Sequence, residues 1–454
     1  MSDHLRATEY AHLDAGGEVY LDYTGAGVYS RTQLTAMHDR LAGRGYGNPH
    51  SASPSSAAST ALVDSARHAV REFLNADPAE YAVIFTPNAT GACKLVGESY
   101  PFGPGRDLVM TFDNHNSVNG IREYARRAAA PRRYVPLTPP DLRVAADEVD
   151  RALAGPGGGL FAFPAQSNFT GVQHPLDWIE RAHEHGYDVL LDAAAYLPAN
   201  PLDLSRVHPD FVPVSWYKVF GLPTGVGCLV ARWEALARLR RPWFAGGTVA
   251  AVSVVADWHQ LLGDESGFED GTLNFLSIPD VEAGLNWIRG IGVDLIQRRV
   301  RYLTGWLLTR LAALRHTDGS PLVRIYGPAD TVSRGGTIAL NVLTPAGEVV
   351  DERLVADEAA EAKLSLRTGC FCNPGAGEGA FDISPAQLNG AEDWGVRTID
   401  DYLGLIGLPT GGAVRVSLGV ASTYADADRF LTFVATTYRD RAIDTSRLAP
   451  RERC

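Results

Sequence analysis

From about residue 80 onward, short apolar runs rich in β-branched and aromatic residues alternate with longer amphipathic stretches, the rhythm of βα units built around a largely parallel sheet. The spacing predicts strands over 82–86, 108–112, 133–137, 160–164, 189–192, 211–215 and 226–231. Between them, 88–99, 117–129 and 177–185 fit helices, each opened by a residue able to cap free backbone amides. The texture changes after residue 275. A helical stretch over 279–314 leads to separated strand-like runs at 322–326, 337–342, 363–367 and 413–418. The chain therefore reads as α/β: a mainly parallel large domain over 21–285 and a smaller α+β domain over 286–454. An N-terminal segment, 1–20, is expected to pack near the smaller domain. Residues 373–412 hold several glycines and few strand signals, which suggests a loop with short helices, a candidate lid.

A length of 454 residues, roughly three times the ~150-residue prior for one domain, fits that division. Acidic residues outnumber basic ones, 53 to 41, for a net charge of -12, which disfavours phosphate backbones and anionic lipid as partners. Asp3, Glu9, Asp14 and Glu18 interrupt the first twenty residues, and no apolar run reaches the ~18 residues of a membrane span. A cytoplasmic protein is the expectation. Five scattered cysteines are too few for a disulfide framework, so reduced thiols are expected.

Only three basic residues, Lys94, Lys218 and Lys363, are lysines. Arginine forms no imine with a carbonyl, so Schiff-base chemistry would need one of these three or an N-terminal amine. Lys218 follows an apolar run ending in Ser215 and precedes the turn Pro223-Thr224-Gly225-Val226-Gly227. That would hold an amine at the carboxyl edge of a sheet, where α/β ligands bind; alone, a surface lysine is the commoner outcome. Asp192 ends the apolar run Val189-Leu190-Leu191, as a helix cap or as a carboxylate pairing with a protonated pyridine nitrogen, the arrangement that pyridoxal phosphate needs as an electron sink. The run Phe85-Thr86-Pro87-Asn88-Ala89-Thr90-Gly91 enters a helix whose free amides would suit a phosphate. His115, just beyond a strand, can stack on a planar ring or sit solvated in its loop.

The stretch Arg367-Thr368-Gly369-Cys370-Phe371-Cys372-Asn373-Pro374-Gly375 places two cysteines in a turn-rich setting. No second Cys/His cluster completes a zinc site, so no metal is expected, and a mobile thiol is favoured over a redox pair. A thiolate there, its pKa lowered by a charge such as Arg367, could attack a sulfur atom and leave as a persulfide. Arg415, amid Ala413-Val414-Arg415-Val416-Ser417, is either a bidentate clamp for an α-carboxylate or an edge salt bridge.

As a set, these residues resemble the class V aminotransferase family of fold-type I pyridoxal phosphate enzymes. Within it the resemblance is to the cysteine desulfurases, nearest the N-terminal domain of molybdenum cofactor sulfurases. It covers nearly the whole chain and is most specific at Tyr20-Leu21-Asp22-Tyr23-Thr24-Gly25-Ala26-Gly27, at Gly47-Asn48-Pro49-His50-Ser51, around Lys218, at Gly271-Thr272-Leu273-Asn274-Phe275 and in the Arg367 to Gly375 stretch. The resemblance implies that Lys218 binds the cofactor covalently, Asp192 partners the ring nitrogen, His115 stacks on the ring and acts in catalysis, and Asn168 lies near the phenolic oxygen. It places the phosphate at Ala89, Thr90 and Ser215, with Thr272 supplied by a neighbouring subunit of a homodimer. Cys372 aligns with the persulfide-forming cysteine, Arg415 with the carboxylate clamp, and Arg367, Asn48 and His50 with the substrate side.

Two departures from many relatives, Tyr217 before the lysine and Ala195 three residues past Asp192, are similar to the sulfurase branch. A third goes the other way: Ala376-Gly377-Glu378 stands where that branch often has another cysteine. With the chain ending at Cys454, sulfuration of a molybdenum cofactor within one polypeptide is not expected. The implied activity is a cysteine desulfurase that moves sulfur from L-cysteine or a close analogue to Cys372 and thence to an acceptor, releasing alanine. The alternatives are C–S lyase chemistry on a cysteine-derived conjugate and a non-catalytic partner subunit.

Overall fold

The structure, a computed structural model, describes residues 2–451 apart from 50, 156, 385, 389–394, 409, 446 and 447. Its centre is a seven-stranded sheet in the order Tyr81–Thr86, Gly227–Arg232, Phe211–Ser215, Tyr187–Asp192, Gly159–Pro164, Asp107–Thr111, Arg132–Val135. Gly227–Arg232 runs antiparallel to both its neighbours, and the other pairs are parallel.

Side-chain alternation explains why these strands are largely apolar, apart from the edge strand Arg132–Val135, whose first three residues are exposed or half-buried. Val83, Phe85, Val109, Phe161, Phe163, Val189, Leu191, Val212 and Val214 fill one core. Their sequence neighbours Ala82, Ile84, Leu108, Met110, Leu160, Ala162, Leu190 and Phe211 fill a second core on the opposite face. With period-two geometry, both faces of the sheet are dry, and polar residues are displaced to the strand ends.

Helices cover both faces. Pro54–Leu74 starts at Ser53, whose side chain accepts from the Ser56 amide, and stops at Asn75 in the left-handed region (φ 51°). Its buried residues Ser59, Val63, Ala66, Val70 and Leu74 recur at helical spacing and face the core. Ala89–Ser99 begins at Asn88, whose side chain accepts from the Gly91 amide.

A second sheet of four antiparallel strands runs in the order Val323–Tyr326, Thr337–Val342, Ala413–Ser417, Arg367–Gly369. The N-terminal segment joins it. Val19–Tyr20 pairs in parallel with Leu364–Ser365, and Asp22 bridges to Ser417.

Each anticipated strand of the central sheet is present within two residues of its expected bounds. Three segments differ. The helix expected over 117–129 is two, Asn116–Asn119 and Arg122–Arg127, because Gly120 and the buried Ile121 form the turn between them. The 279–314 stretch breaks into Pro279–Ile291 and Val293–Ala313 at Gly292, whose φ of 93° suits glycine alone. The 363–367 run divides its pairing between Val19–Tyr20 and the second sheet. Several elements were not anticipated, among them the helices Arg31–Gly43, Pro54–Leu74 and Tyr424–Tyr438 and a hairpin of Val249–Ser253 and Trp258–Leu261 with Val254 and Val255 fully exposed near its tip. Within 373–412 the described residues include the helices Pro374–Ala380 and Ile399–Ile406. Among the described residues, no helix is long and apolar enough to cross a membrane.

Gly227 marks where sheet and helix start meet most closely: a Cβ there would lie 2.5 Å from Val214 O and 2.6 Å from Asn88 Cα. Both are backbone atoms and neither can swing aside. Gly227→Ala is expected to cost about 1–3 kcal/mol, the usual range for overpacking, read as a lower urea midpoint at unchanged slope.

Candidate active site

Because the parallel strands point the same way, their carboxyl ends converge on one edge, and so do the loops that follow them. A cavity of about 170 Å³ opens there, lined by Ala89, Thr90, His115, Asn168, Asp192, Ser215 and Lys218 among others. Seven predicted residues from five strand ends thus meet at one site.

Lys218 sits in the short helix Trp216–Phe220, directly after the strand that ends at Ser215. Among the described residues its amine makes no hydrogen bond or ion pair, whereas Lys94 pairs with Glu98 and Lys363 donates to Gly16 O. The other two lysines are therefore engaged elsewhere. Burial pushes the Lys218 amine below the usual lysine range; Arg415 and Arg367 act in the same direction, and Asp192 and Asp22 oppose them. A neutral amine is the form that attacks a carbonyl.

Asp192 is buried at the end of its strand, with Oδ1 accepting from the Ala194 amide at 2.9 Å. Among the described residues Oδ2 accepts nothing. The Ala89 amide donates to Ser215 Oγ (2.9 Å), and Thr90 Oγ1 lies 2.7 Å from Ser117 Oγ, so hydroxyls and helix-start amides cluster at one end of the cavity. Such a cluster suits an anion.

His115 caps Asn116–Asn119: its Nδ1 accepts from the Ser117 amide at 3.1 Å, which leaves the proton of a neutral ring on Nε2. Burial, reinforced by the Lys218 charge and opposed by Asp192, pushes its pKa down to about 4. The ring is therefore neutral near pH 7, a state suited to stacking.

Asn168 faces two ways. It lines the cavity, yet its Nδ2 donates to Phe371 O (2.8 Å) and its Oδ1 accepts from Asn373 Nδ2 (2.8 Å). It thereby joins the cavity to the cysteine turn, which is also held by the Asn116 amide donating to Cys372 O (2.8 Å). The Cys372 thiol is free and exposed. Cys370 instead lines a separate cavity with Arg353 and Arg451 and is disulfide-bonded, so the two do not form a pair with each other, and the expectation of reduced thiols throughout fails at Cys370. No cluster of metal-binding side chains occurs among the described residues.

Arg415 is buried beside the cavity, donating from Nη1 to Asn168 O (3.0 Å) and from Nη2 to Asp22 Oδ1 (2.9 Å), with its guanidinium 4.7 Å from the centre of the Phe371 ring. Arg367 was expected to turn its charge toward the thiol or the substrate. Instead Asp22 takes it, through bonds from Nε (2.9 Å) and Nη2 (2.7 Å) to Oδ2. Two of the expected residues, Asn48 and Thr272, lie apart. Asn48 donates to Thr272 Oγ1 (3.4 Å), Thr272 lines a different cavity of about 370 Å³, and His50 lies outside the described residues. Sequence reading missed Asp22, Asn373 and Ser117. Asp22 and Asn373 stood inside motifs already singled out, but nothing in their spacing marked them.

An amine without a partner, a carboxylate with a free oxygen, a neutral ring and an anion cradle fit pyridoxal phosphate. The architecture is that of the fold-type I pyridoxal phosphate enzymes. A cysteine desulfurase from Thermococcus onnurineus shares it with a TM-score of 0.79 at 22% identity, over 96% of this chain and 98% of that one. So does the cystine C–S lyase C-DES, solved with its product cysteine persulfide, with a TM-score of 0.71 at 20% identity, over 93% of this chain and 98% of that one.

The chain belongs to the aminotransferase class-V family, matched over residues 19–430, whose members use pyridoxal phosphate. It is homologous to molybdenum cofactor sulfurases: that of Solanum lycopersicum is 37% identical over 99% of this chain, which spans 59% of that relative's length.

The depressed pKa of His115 has a consequence for stability. Between about pH 6.5, the ordinary histidine value, and about 4, the unfolded chain takes up a proton that the folded chain refuses, so this residue erodes stability as pH falls through that window. His115→Gln should remove that contribution. The stability difference between wild type and variant, from urea unfolding of cofactor-free protein, should change across that window by at most about 1.4 kcal/mol per pH unit and flatten above it.

Proposed function

We propose that this chain is a pyridoxal phosphate-dependent cysteine desulfurase, taking sulfur from L-cysteine or a close analogue onto Cys372 and releasing alanine. The observation that carries the reading is a free, exposed thiol tied through one side chain, Asn168, to the cavity that holds an unpaired lysine.

Lys218 would hold the cofactor, with Asp192 at its ring nitrogen, His115 on its ring face, and Ala89, Thr90 and Ser215 at its phosphate. Bound there, pyridoxal phosphate supplies an aldehyde for amines and a ring that withdraws electrons from the substrate's α-carbon. The chain's own residues do the rest. Arg415 orients the substrate carboxylate. Lys218, its pKa lowered chiefly by burial, takes a proton from the α-carbon and returns it. The Cys372 thiolate attacks the substrate sulfur: an S–S bond forms as the C–S bond breaks, the C–S electron pair stays with the three-carbon fragment, and that fragment picks up a proton and leaves as alanine. The persulfide then faces solvent on an exposed residue, where an acceptor can reach it.

The homodimer belongs to the same reading. Val254, Val255, Trp258 and Trp243 are exposed around the hairpin, an apolar surface suited to a second copy. Thr272, apart from the lysine cavity within one chain, would then be supplied across the interface. Replacing Val254 and Val255 together by Asp is expected to yield monomer by light scattering.

Incubation with L-cysteine should release alanine and add one sulfur to the peptide containing Cys372, read by mass spectrometry, with Cys372→Ser losing the sulfur adduct. Pyruvate and ammonia in place of alanine would establish the lyase alternative. Lys218→Ala should lose borohydride-reducible attachment of pyridoxal phosphate; a variant that kept it would refute the assignment, and with it the enzymatic reading.

A further inference from the structure

Arg367 and Arg415 stand directly opposite one another on neighbouring antiparallel strands. Like charges in that position repel, and Asp22 lies between them, one oxygen to each. Mutual neutralisation would account for the carboxylate, yet the remaining geometry of Arg415 asks for more. Its Nη1 is spent on Asn168 O and its Nη2 on Asp22, while Nε is buried with no acceptor among the described residues. The guanidinium expected to clamp a substrate carboxylate is thus already half occupied by a carboxylate of the chain itself.

Asp22 is not free to leave. Its carbonyl accepts from the Gly25 and Ala26 amides (2.9 and 3.0 Å), and the flanking backbone is fixed by the Ser417 amide donating to Leu21 O (2.7 Å) and the Thr24 amide donating to Ser417 Oγ (2.8 Å). The turn is shaped around the side chain: a Cβ on Gly25 would fall 2.3 Å from Asp22 Oδ2. The other arm of the carboxylate holds Arg367, the first residue of the strand that leads into the cysteine turn.

Resting on the desulfurase reading, we propose that Asp22 is a positioning residue that sets how tightly Arg415 takes an amino-acid carboxylate and ties that clamp to the strand carrying Cys372. Neutralising part of the Arg415 charge weakens the hold on any carboxylate, product alanine included, and so favours its release. Arg367 tunes the effect by drawing off half of the Asp22 charge.

The two arms predict shifts of opposite sign. In holoenzyme, Asp22→Asn should bind L-alanine about fivefold or more tightly than wild type, with ethylamine, which lacks the carboxylate, unchanged. Arg367→Gln, which leaves all of the Asp22 charge on Arg415, should weaken L-alanine binding with ethylamine again unchanged. Titration calorimetry reads both, and KM for L-cysteine should move with the L-alanine affinity. A purely structural Asp22 would lower thermal stability and leave the L-alanine to ethylamine affinity ratio where it was, which overturns the proposal. Should Asp22→Asn fail to fold, Arg367→Gln decides alone, an unchanged ratio being the overturning result. Wild-type holoenzyme that binds no L-alanine would overturn this proposal and the desulfurase reading together. Pyruvate as product alongside a shifted ratio would overturn only the latter.

Discussion

The site depends on a sheet that is dry on both faces. Where alternate residues of a strand must each fill a core, as Val83 and Ile84 or Val189 and Leu190 do, a charged or hydrogen-bonding side chain has no place along the strand. It can sit only where the strand stops. Asp192 and Ser215 are last residues of their strands, and Lys218 and His115 follow within four residues of a strand end. Parallel pairing then brings these ends to the same edge. The chemistry is therefore concentrated by the burial pattern, before any particular contact is considered.

Concentrating charge at an edge between packed layers has an electrostatic cost, which the chain offsets by interleaving signs. Lys218, Arg415 and Arg367 would repel one another strongly in a poorly solvated space. Asp192 faces the lysine and Asp22 bridges the two arginines, each opposing the like charges around it. Burial lowers Lys218, with the arginines assisting; the Asp22 hydrogen bonds raise Arg367. His115 carries no counter-charge of its own and stays neutral. The result is one nucleophilic amine, one neutral ring and two committed guanidinium groups within a single polar patch.

The central sheet was readable from sequence because its inner strands obey one strong rule, near-unbroken apolarity bounded by turn residues; the edge strand Arg132–Val135 departs from it. The lysine was identifiable for a different reason: with only three in the chain, the one between a strand and a glycine-rich turn stood out. What sequence did not reveal were the pairings across long separations. Asp22 meets Arg415 nearly four hundred positions away (|i−j| = 393), and no periodicity encodes such a contact. Arg367 was read as a charge available to the thiol because a lone sequence shows a guanidinium but not its partner. Gly292 was equally silent, since a glycine inside a helical pattern is often tolerated and only the backbone shows it as a break. The hairpin beginning at Val249 lacked polar alternation in its first strand, where the exposed Ala250, Ala251 and Val252 are all apolar.

The cysteine turn combines backbone strain with specific contacts that hold it in place. Phe371 and Cys372 occupy the left-handed region in succession, with φ of 56° and 53°, and each such non-glycine residue costs on the order of 1–3 kcal/mol. Against that stand four hydrogen bonds to the turn: Asn168 Nδ2 to Phe371 O, the Asn116 amide to Cys372 O, and Asn373 Nδ2 to both Asp113 O and Asn168 Oδ1. At about 1 kcal/mol net apiece, more where breaking one strands a buried group, they are of the same order as the strain. Two of those bonds fall to Asn168 and to the loop carrying His115, both of which border the lysine cavity. The turn that carries the thiol is thus joined to the cavity through two short contacts, with the sheet as the common support.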